Sequence, residues 1–247
     1  MLYQSCSNPK MKEIKKLHVS KYRKEKKLFL VEGEHLVLEA YCTGYLQELL
    51  LLEGTEFSLP VETNYVTQTV LNDISMLETP QPILGICKQP EISKITGNHI
   101  LALDQIQDPG NMGTIIRSAV AFDVDMILVS KDSVDIYNEK VVRATQGLLF
   151  SIPIMICDLQ EQLKRLKEKE YTIYVTDVTG GESSYQIKPA EKYILVMGNE
   201  GKGVRKEIKN YATLSLYIPM NQRCESLNVG VATSILLYAL KDSEKNG

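Results

Sequence analysis

Three polar, glycine-bearing segments hold the residues best suited to chemistry. The first, Asp108-Pro109-Gly110-Asn111-Met112-Gly113-Thr114-Ile115-Ile116-Arg117, directly follows the apolar run ILALDQI. Pro109 can start a turn, Gly110 and Gly113 permit close backbone approach, and Asn111 and Arg117 offer an amide and a fixed cation. At about 3.6 residues per turn these two are less than two helical turns apart, so both could face one pocket. The simpler alternative is that Asn111 caps the helix and Arg117 is a surface residue. The second segment is Gly198-Asn199-Glu200-Gly201-Lys202-Gly203, after YILVM. Its order reverses the dinucleotide fingerprint, and Gly203 stands where a phosphate-binding Walker loop needs Ser or Thr, so neither NAD nor ATP is indicated. Glu200 would oppose a phosphate, which leaves a neutral or cationic ligand or an ordinary strand-to-helix turn. In the third segment, from Ile218 through Met220 to Val229, Ser226 sits where an N-cap would precede the apolar VGVATSILLYAL. Asn228 then falls in a first turn with free N–H groups able to hold a carboxylate or a polarised substrate atom.

Other chemistries lack their residues. His18, His35 and His99 are scattered, and the five cysteines are an odd number with no C-x-x-C pair, so no metal site and no disulfide framework are expected. No apolar run approaches the roughly 20 residues of a bilayer-spanning helix, and the charged N-terminus lacks a signal-peptide core. A cytoplasmic protein without membrane contact is the expectation.

The elements that must carry the three segments are legible from hydrophobic period. Met11, Ile14 and Leu17 recur at helical spacing among lysines; 28–31 reads as a strand, 34–41 as a helix, 46–52 as a strand, 68–74 as a short helix and 83–87 as a strand. Residues 89–98 lose periodicity and collect Pro, Ser, Gly and Asn, as linkers do. Two domains are expected, a small N-terminal α/β domain over 1–97 and a second over 98–247. In the second, the apolar runs ILALDQI, MILVS, PIMIC, YTIYVTDV, YILVMG and LSLYIP are separated by helical segments, the pattern of a Rossmann-like parallel sheet buried on both faces.

The 44 % hydrophobic and 24 % charged balance excludes a disordered chain. The net charge of −3 hides an uneven distribution: residues 10–27 hold nine Lys/Arg and two acids. This stripe, with Lys10, Lys12, Lys15, Lys16, Lys21, Arg23 and Lys24, could neutralise the phosphates of a polyanion, or could be a solvated helix face.

Together the three segments closely resemble the motifs of the SpoU (TrmH-type) branch of the SPOUT RNA 2′-O-methyltransferases, over about residues 100–240 and including VVRATQGLLFSIP. The stretches SNPKMKEIKKL and KYRKEKKLFLVEGEHLVLEA resemble that family's substrate-binding extension. The resemblance implies an RNA-binding N-terminal α/β domain, a parallel-sheet catalytic domain with a C-terminal trefoil knot, and a homodimer. It implies S-adenosylmethionine as cofactor, held by Thr176, Met197, Gly198, Gly203, Ile218, Met220, Ser226 and Leu227, and structured RNA as substrate, with ribosomal RNA expected and a transfer-RNA 2′-O-methyltransferase as the alternative. Catalytic roles carry over to Arg117, Asn111, Glu200, Ser226 and Asn228. The family assigns to Arg117 help in removing the 2′-hydroxyl proton, although a guanidinium more easily positions a phosphate and stabilises the developing alkoxide. Gln222 and Asp123 replace frequent glycines, and Gly230 a frequent serine. A non-catalytic RNA-binding or ribosome-assembly factor with the same fold is the rival reading.

Overall fold

The computed structural model describes residues 1–177, 180–221 and 223–241. The chain begins β1 (Leu2–Tyr3), α1 (Pro9–Lys16), α2 (Ser20–Lys26), β2 (Leu28–Glu32), α3 (Glu34–Cys42), β3 (Leu46–Leu52), β4 (Glu62–Val66), α4 (Gln68–Ile74) and β5 (Ile83–Lys88). It continues through β6 (His99–Leu103), α5 (Pro109–Ala121), β7 (Met126–Ser130), α6 (Glu139–Ala144), β8 (Ile154–Cys157) and α7 (Leu159–Glu168). The last elements are β9 (Thr172–Thr176), β10 (Glu182–Ser183), β11 (Tyr193–Met197), α8 (Lys206–Lys209), β12 (Leu214–Tyr217) and α9 (Val229–Leu240).

These elements form two compact units whose division is discontinuous in sequence. One contains 1–91 and 135–151, the other 92–134 and 152 onward. This packing division differs from a single boundary at 97/98, since 92–97 group with the second unit and 135–151 with the first. The reason is packing within the first unit. The Phe29 ring lies 4.6 Å from Tyr137 and 6.2 Å from Phe150, centroid to centroid, and Asp135 accepts hydrogen bonds from Ser20 and Arg23.

The first unit is a mixed five-stranded sheet in the order β1-β4-β3-β5-β2. Asn8 caps α1 by accepting from the Lys10 N–H, with Pro9 at the first helical position, where its missing N–H costs nothing. The spacing of Met11, Ile14 and Leu17 then turns one apolar face onto Leu50, Val66, Val70, Leu71, Ile74, Leu84 and Ile86.

The second unit is a seven-stranded sheet, parallel throughout, in the order β10-β12-β9-β11-β6-β7-β8. β7 and β11 are buried at every position because helices cover both faces. Asp158 caps α7, which buries Leu159, Leu163 and Leu166 against the sheet. After α5, Asp123 adopts a left-handed φ of 58°, the conformation that a glycine would take without strain and that Asp tolerates. Gln222 lies outside the described residues.

Candidate active site

β6 and β11 are neighbours and parallel, so the loops that follow them leave the same edge of the sheet. The order reverses there, since β7 and β8 extend one way from β6 and β9 lies beyond β11; such switch points are where open α/β sheets place ligands. Glu200 joins the two loops. Its carboxylate accepts from the backbone N–H of Asp108 at 3.0 Å and of Gln107 at 3.2 Å, and from the Asn111 side-chain amide at 3.2 Å. Desolvation opposes its ionisation, but the Asp108 N–H and the other donors outweigh that and hold the carboxyl below the usual Glu range. An anion so stabilised anchors its neighbours and makes a poor proton acceptor at neutral pH.

Asn111 passes the connection on. Its Oδ1 accepts from the Asn228 side-chain amide at 2.8 Å, so Glu200, Asn111 and Asn228 form one chain across the three sequence segments. Two caps differ from the sequence reading. Asp108, not Asn111, caps α5 by accepting from the Asn111 N–H. Asn228, not Ser226, caps α9 by accepting from the N–H groups of Gly230 and Val231. The helix starts later because Asn228 can serve both the cap and Asn111, while Ser226 stays exposed in the preceding loop.

Arg117 lies on a different face of α5 from Asn111. Six positions along a helix turn a side chain about 120° away from the starting face. The face that Asn111 shares with Thr114 and Ser118 packs on α9, where Ser118 and Ser234 hydroxyls meet at 2.7 Å. Gly230 permits that approach: a Cβ there would lie 3.0 Å from the Thr114 methyl. Arg117 is exposed and makes no hydrogen bond or ion pair among the described residues.

Beside this network is a cavity of about 260 Å³, slightly below the usual range of about 300–1,000 Å³ for small-molecule clefts. Thr176, Met197, Gly198, Gly203, Ile218, Met220, Ser226 and Leu227 all line it, as do Glu200, Leu216 and Leu236. Its wall is a tight turn in which Asn199 and Gly203 exchange two backbone hydrogen bonds and the Asn199 side chain accepts from the N–H groups of Gly201 and Lys202. Apolar side chains, exposed backbone groups and the carboxylates of Glu200 and Asp177, the latter paired with Lys209, suit a flat heteroaromatic ring joined to a cation, which is the make-up of S-adenosylmethionine.

Two charged pairs were not foreseen. Asp104, fully buried just after β6, binds Arg205 at 2.7 Å, and Asp177 and Lys209, both lining the cavity, pair at 2.7 Å. An isolated Asp gives no sequence signal for a partner 101 or 32 positions away. Among the described residues no group of three or more His, Cys, Asp or Glu could hold a metal ion, and no helix is long and apolar enough to cross a membrane.

In the first unit most of the basic stripe is already paired. Lys10 contacts Glu48 at 2.7 Å and Glu62 at 3.4 Å, Lys15 pairs with Asp73, and Lys16 with Glu13 at 2.5 Å. Arg23 must be removed from the candidate RNA ligands. Its side chain is 3 % exposed and is consumed by Asp135 and the Leu17 and His18 carbonyls. Lys12, Lys21 and Lys24 are exposed and form no ion pair among the described residues.

Comparison with known proteins agrees with this layout. Residues 98–238 match the SpoU rRNA Methylase family, and residues 8–85 match the MRM3-like substrate binding domain. The chain is 36 % identical to the 23S rRNA (guanosine(2553)-2′-O)-methyltransferase RlmP of Bacillus subtilis over 96 % of its own length and 98 % of the relative's. It is 29 % identical to the 23S rRNA (adenosine(1067)-2′-O)-methyltransferase of Streptomyces laurentii, covering 72 % and 68 %. The crystal structure of an AdoMet-bound rRNA methyltransferase from Sinorhizobium meliloti superposes with a TM-score of 0.86 at 30 % identity, covering 97 % of each chain. With its motif loops gathered on one sheet edge and its sequence matched from end to end, the chain belongs to the SpoU rRNA methylase family.

Proposed function

We propose that the protein transfers a methyl group from S-adenosylmethionine to a ribose 2′-oxygen of ribosomal RNA. The observation that carries this reading is the convergence of three distant segments: residues of two of them line one cavity, and Glu200 on its wall is hydrogen-bonded to Asn111, which is bonded to Asn228. The names of the two curated relatives support ribosomal RNA and ribose 2′-O chemistry, and the first makes guanosine the nucleotide to examine first.

The bound cofactor supplies an electrophilic methyl group on a sulfonium. This chain's residues do the rest. Leu216, Ile218, Met220, Leu227 and Leu236 offer apolar walls for the adenine, and the Glu200 carboxylate is compatible with the cation. Asn111 and Asn228 orient the nucleotide, and Ser226 and Leu227 line the cavity beside them. Arg117, unpaired among the described residues, meets a phosphate and stabilises the alkoxide as the 2′-hydroxyl passes its proton to that phosphate or to water. The second unit carries this chemistry, its C-terminal part tied in a trefoil knot, and the first captures structured RNA through Lys12, Lys21 and Lys24, with Lys10, Lys15 and Lys16 at the edge. Two copies act together as a cytoplasmic homodimer.

The test is transfer of a tritiated methyl group from S-adenosylmethionine to total ribosomal RNA from a strain lacking the gene, followed by nucleoside analysis. Label in a 2′-O-methylnucleoside, lost with Arg117→Ala while cofactor binding persists, is expected. Label on a base, or none with the wild-type protein, overturns the proposal.

A further inference from the structure

We infer that Asp104 and Arg205 are positioning residues for the reaction, fixing both ends of the turn that presents Glu200. This rests on the proposed methyl transfer. Asp104 directly follows β6 and is fully buried. Its backbone N–H donates to the carbonyl of Met197, the last residue before the turn, at 2.8 Å. Its carboxylate accepts from the Arg205 backbone N–H at 2.9 Å, from Nε at 2.8 Å and from Nη2 at 2.7 Å, just after the turn closes. One residue therefore grips the chain at 197 and at 205, on either side of a turn stitched by the backbone bonds of Asn199 and Gly203.

The chemistry of the pair fits this role better than a role in stability alone. Asp104 is fully buried and Arg205 about two-thirds so; burying such a pair adds little net stability, because desolvation offsets its attraction. What an apolar residue cannot do is hold a backbone N–H and a planar guanidinium in one fixed orientation. That orientation sets where Glu200 meets Gln107, Asp108 and Asn111. Asp132 lies 3.8 Å from the same guanidinium, and its carbonyl accepts from the Gln107 side chain at 2.6 Å, so the β7 loop joins the arrangement.

Arg205→Lys keeps the charge and loses the fork; Asp104→Asn keeps the shape and places an amide donor against Arg205. The experiment compares both with the wild type in cofactor titration calorimetry and in methyl transfer to total ribosomal RNA from a deletion strain, each normalised to the folded fraction. At saturating cofactor and RNA, Arg205→Lys should lower kcat by at least tenfold and leave the KM for RNA within about twofold. In a Glu200→Gln background the same substitution should cost less than threefold more, because both changes act through one carboxylate. A purely structural pair would lower the melting temperature and leave kcat per folded molecule unchanged; that outcome, or full additivity with Glu200→Gln, overturns the inference. If Asp104→Asn does not fold, Arg205→Lys carries the test alone. A wild-type protein without methyl transfer refutes the proposed function instead, so the two failures are distinguishable.

Discussion

Replacing Gly198 with alanine should open the turn that walls the cavity. A Cβ at Gly198 would lie 2.6 Å from the Gly203 carbonyl oxygen, and nearer still to the Gly203 carbonyl carbon and the Val204 nitrogen. All three are backbone atoms, so no rotamer change relieves the clash. Overpacking of this kind costs about 1–3 kcal/mol, and for a chain of this size each kcal/mol lowers the melting temperature by about 2–4 °C. Where the turn itself gives way, the same energy weakens cofactor binding by about 5- to 150-fold, at about 1.4 kcal/mol per factor of ten. The neighbouring glycines are built-in controls. At Gly201 a Cβ would meet only the Asn199 Oδ1, at 3.8 Å, so alanine there should be nearly silent. Gly203 has open space but a φ of 68°, so alanine costs only the left-handed strain of about 1–2 kcal/mol. Scanning calorimetry and S-adenosylmethionine titration should rank the damage Gly201 below Gly203 and Gly203 at or below Gly198. A Gly198→Ala protein that melts and binds as the wild type does, with Gly201→Ala impaired, would refute the reasoning.

Three further outcomes are expected. Asn228→Ala removes the cap on Gly230 and Val231 together with the bond to Asn111, so it should lose about 1 kcal/mol in denaturant melts and most of the methyl-transfer rate. Because the folded Glu200 carboxyl is held below its unfolded value of about 4.3, its contribution is fully present above that pH and is lost as pH falls through the lower folded value. Melts from pH 7 to pH 3 should therefore show a steeper acid loss in the wild type than in Glu200→Gln, and parallel curves would contradict this. Arg23→Ala strands Asp135 and should destabilise by about 3–5 kcal/mol, whereas Lys24→Ala should leave the melt unchanged and reduce the salt slope of RNA binding by about one.

The sequence disclosed much of this because hydrophobic pattern is a local property. The strands from Leu28, Leu46 and Ile83 and the helices from Glu34 and Gln68 emerge within a residue of their expected limits, since each is bounded by turn residues and has a clear apolar period. β4, with sequence ETNYV, escaped because it buries only Asn64 and Val66, and two-residue β1 is too short to carry a period. The three loops were visible as glycine and amide clusters, but their wiring was not: which of Ser226 and Asn228 caps α9 depends on Asn111, 117 positions away. Likewise Arg23 looked like one more solvated cation, because Asp135, the partner that buries it, is 112 positions downstream in a segment that packs with the first unit. Arg117 and Asn111 are close in sequence, yet helical rotation puts them on different faces.

The most direct measurement is a transcriptome-wide map of ribose 2′-O-methylation in isogenic cells with and without the gene. The account predicts that a ribosomal RNA ribose loses its mark on deletion, regains it when the wild-type gene is restored, and stays bare when the Arg117→Ala gene is supplied. Identical ribosomal maps with and without the gene would contradict it.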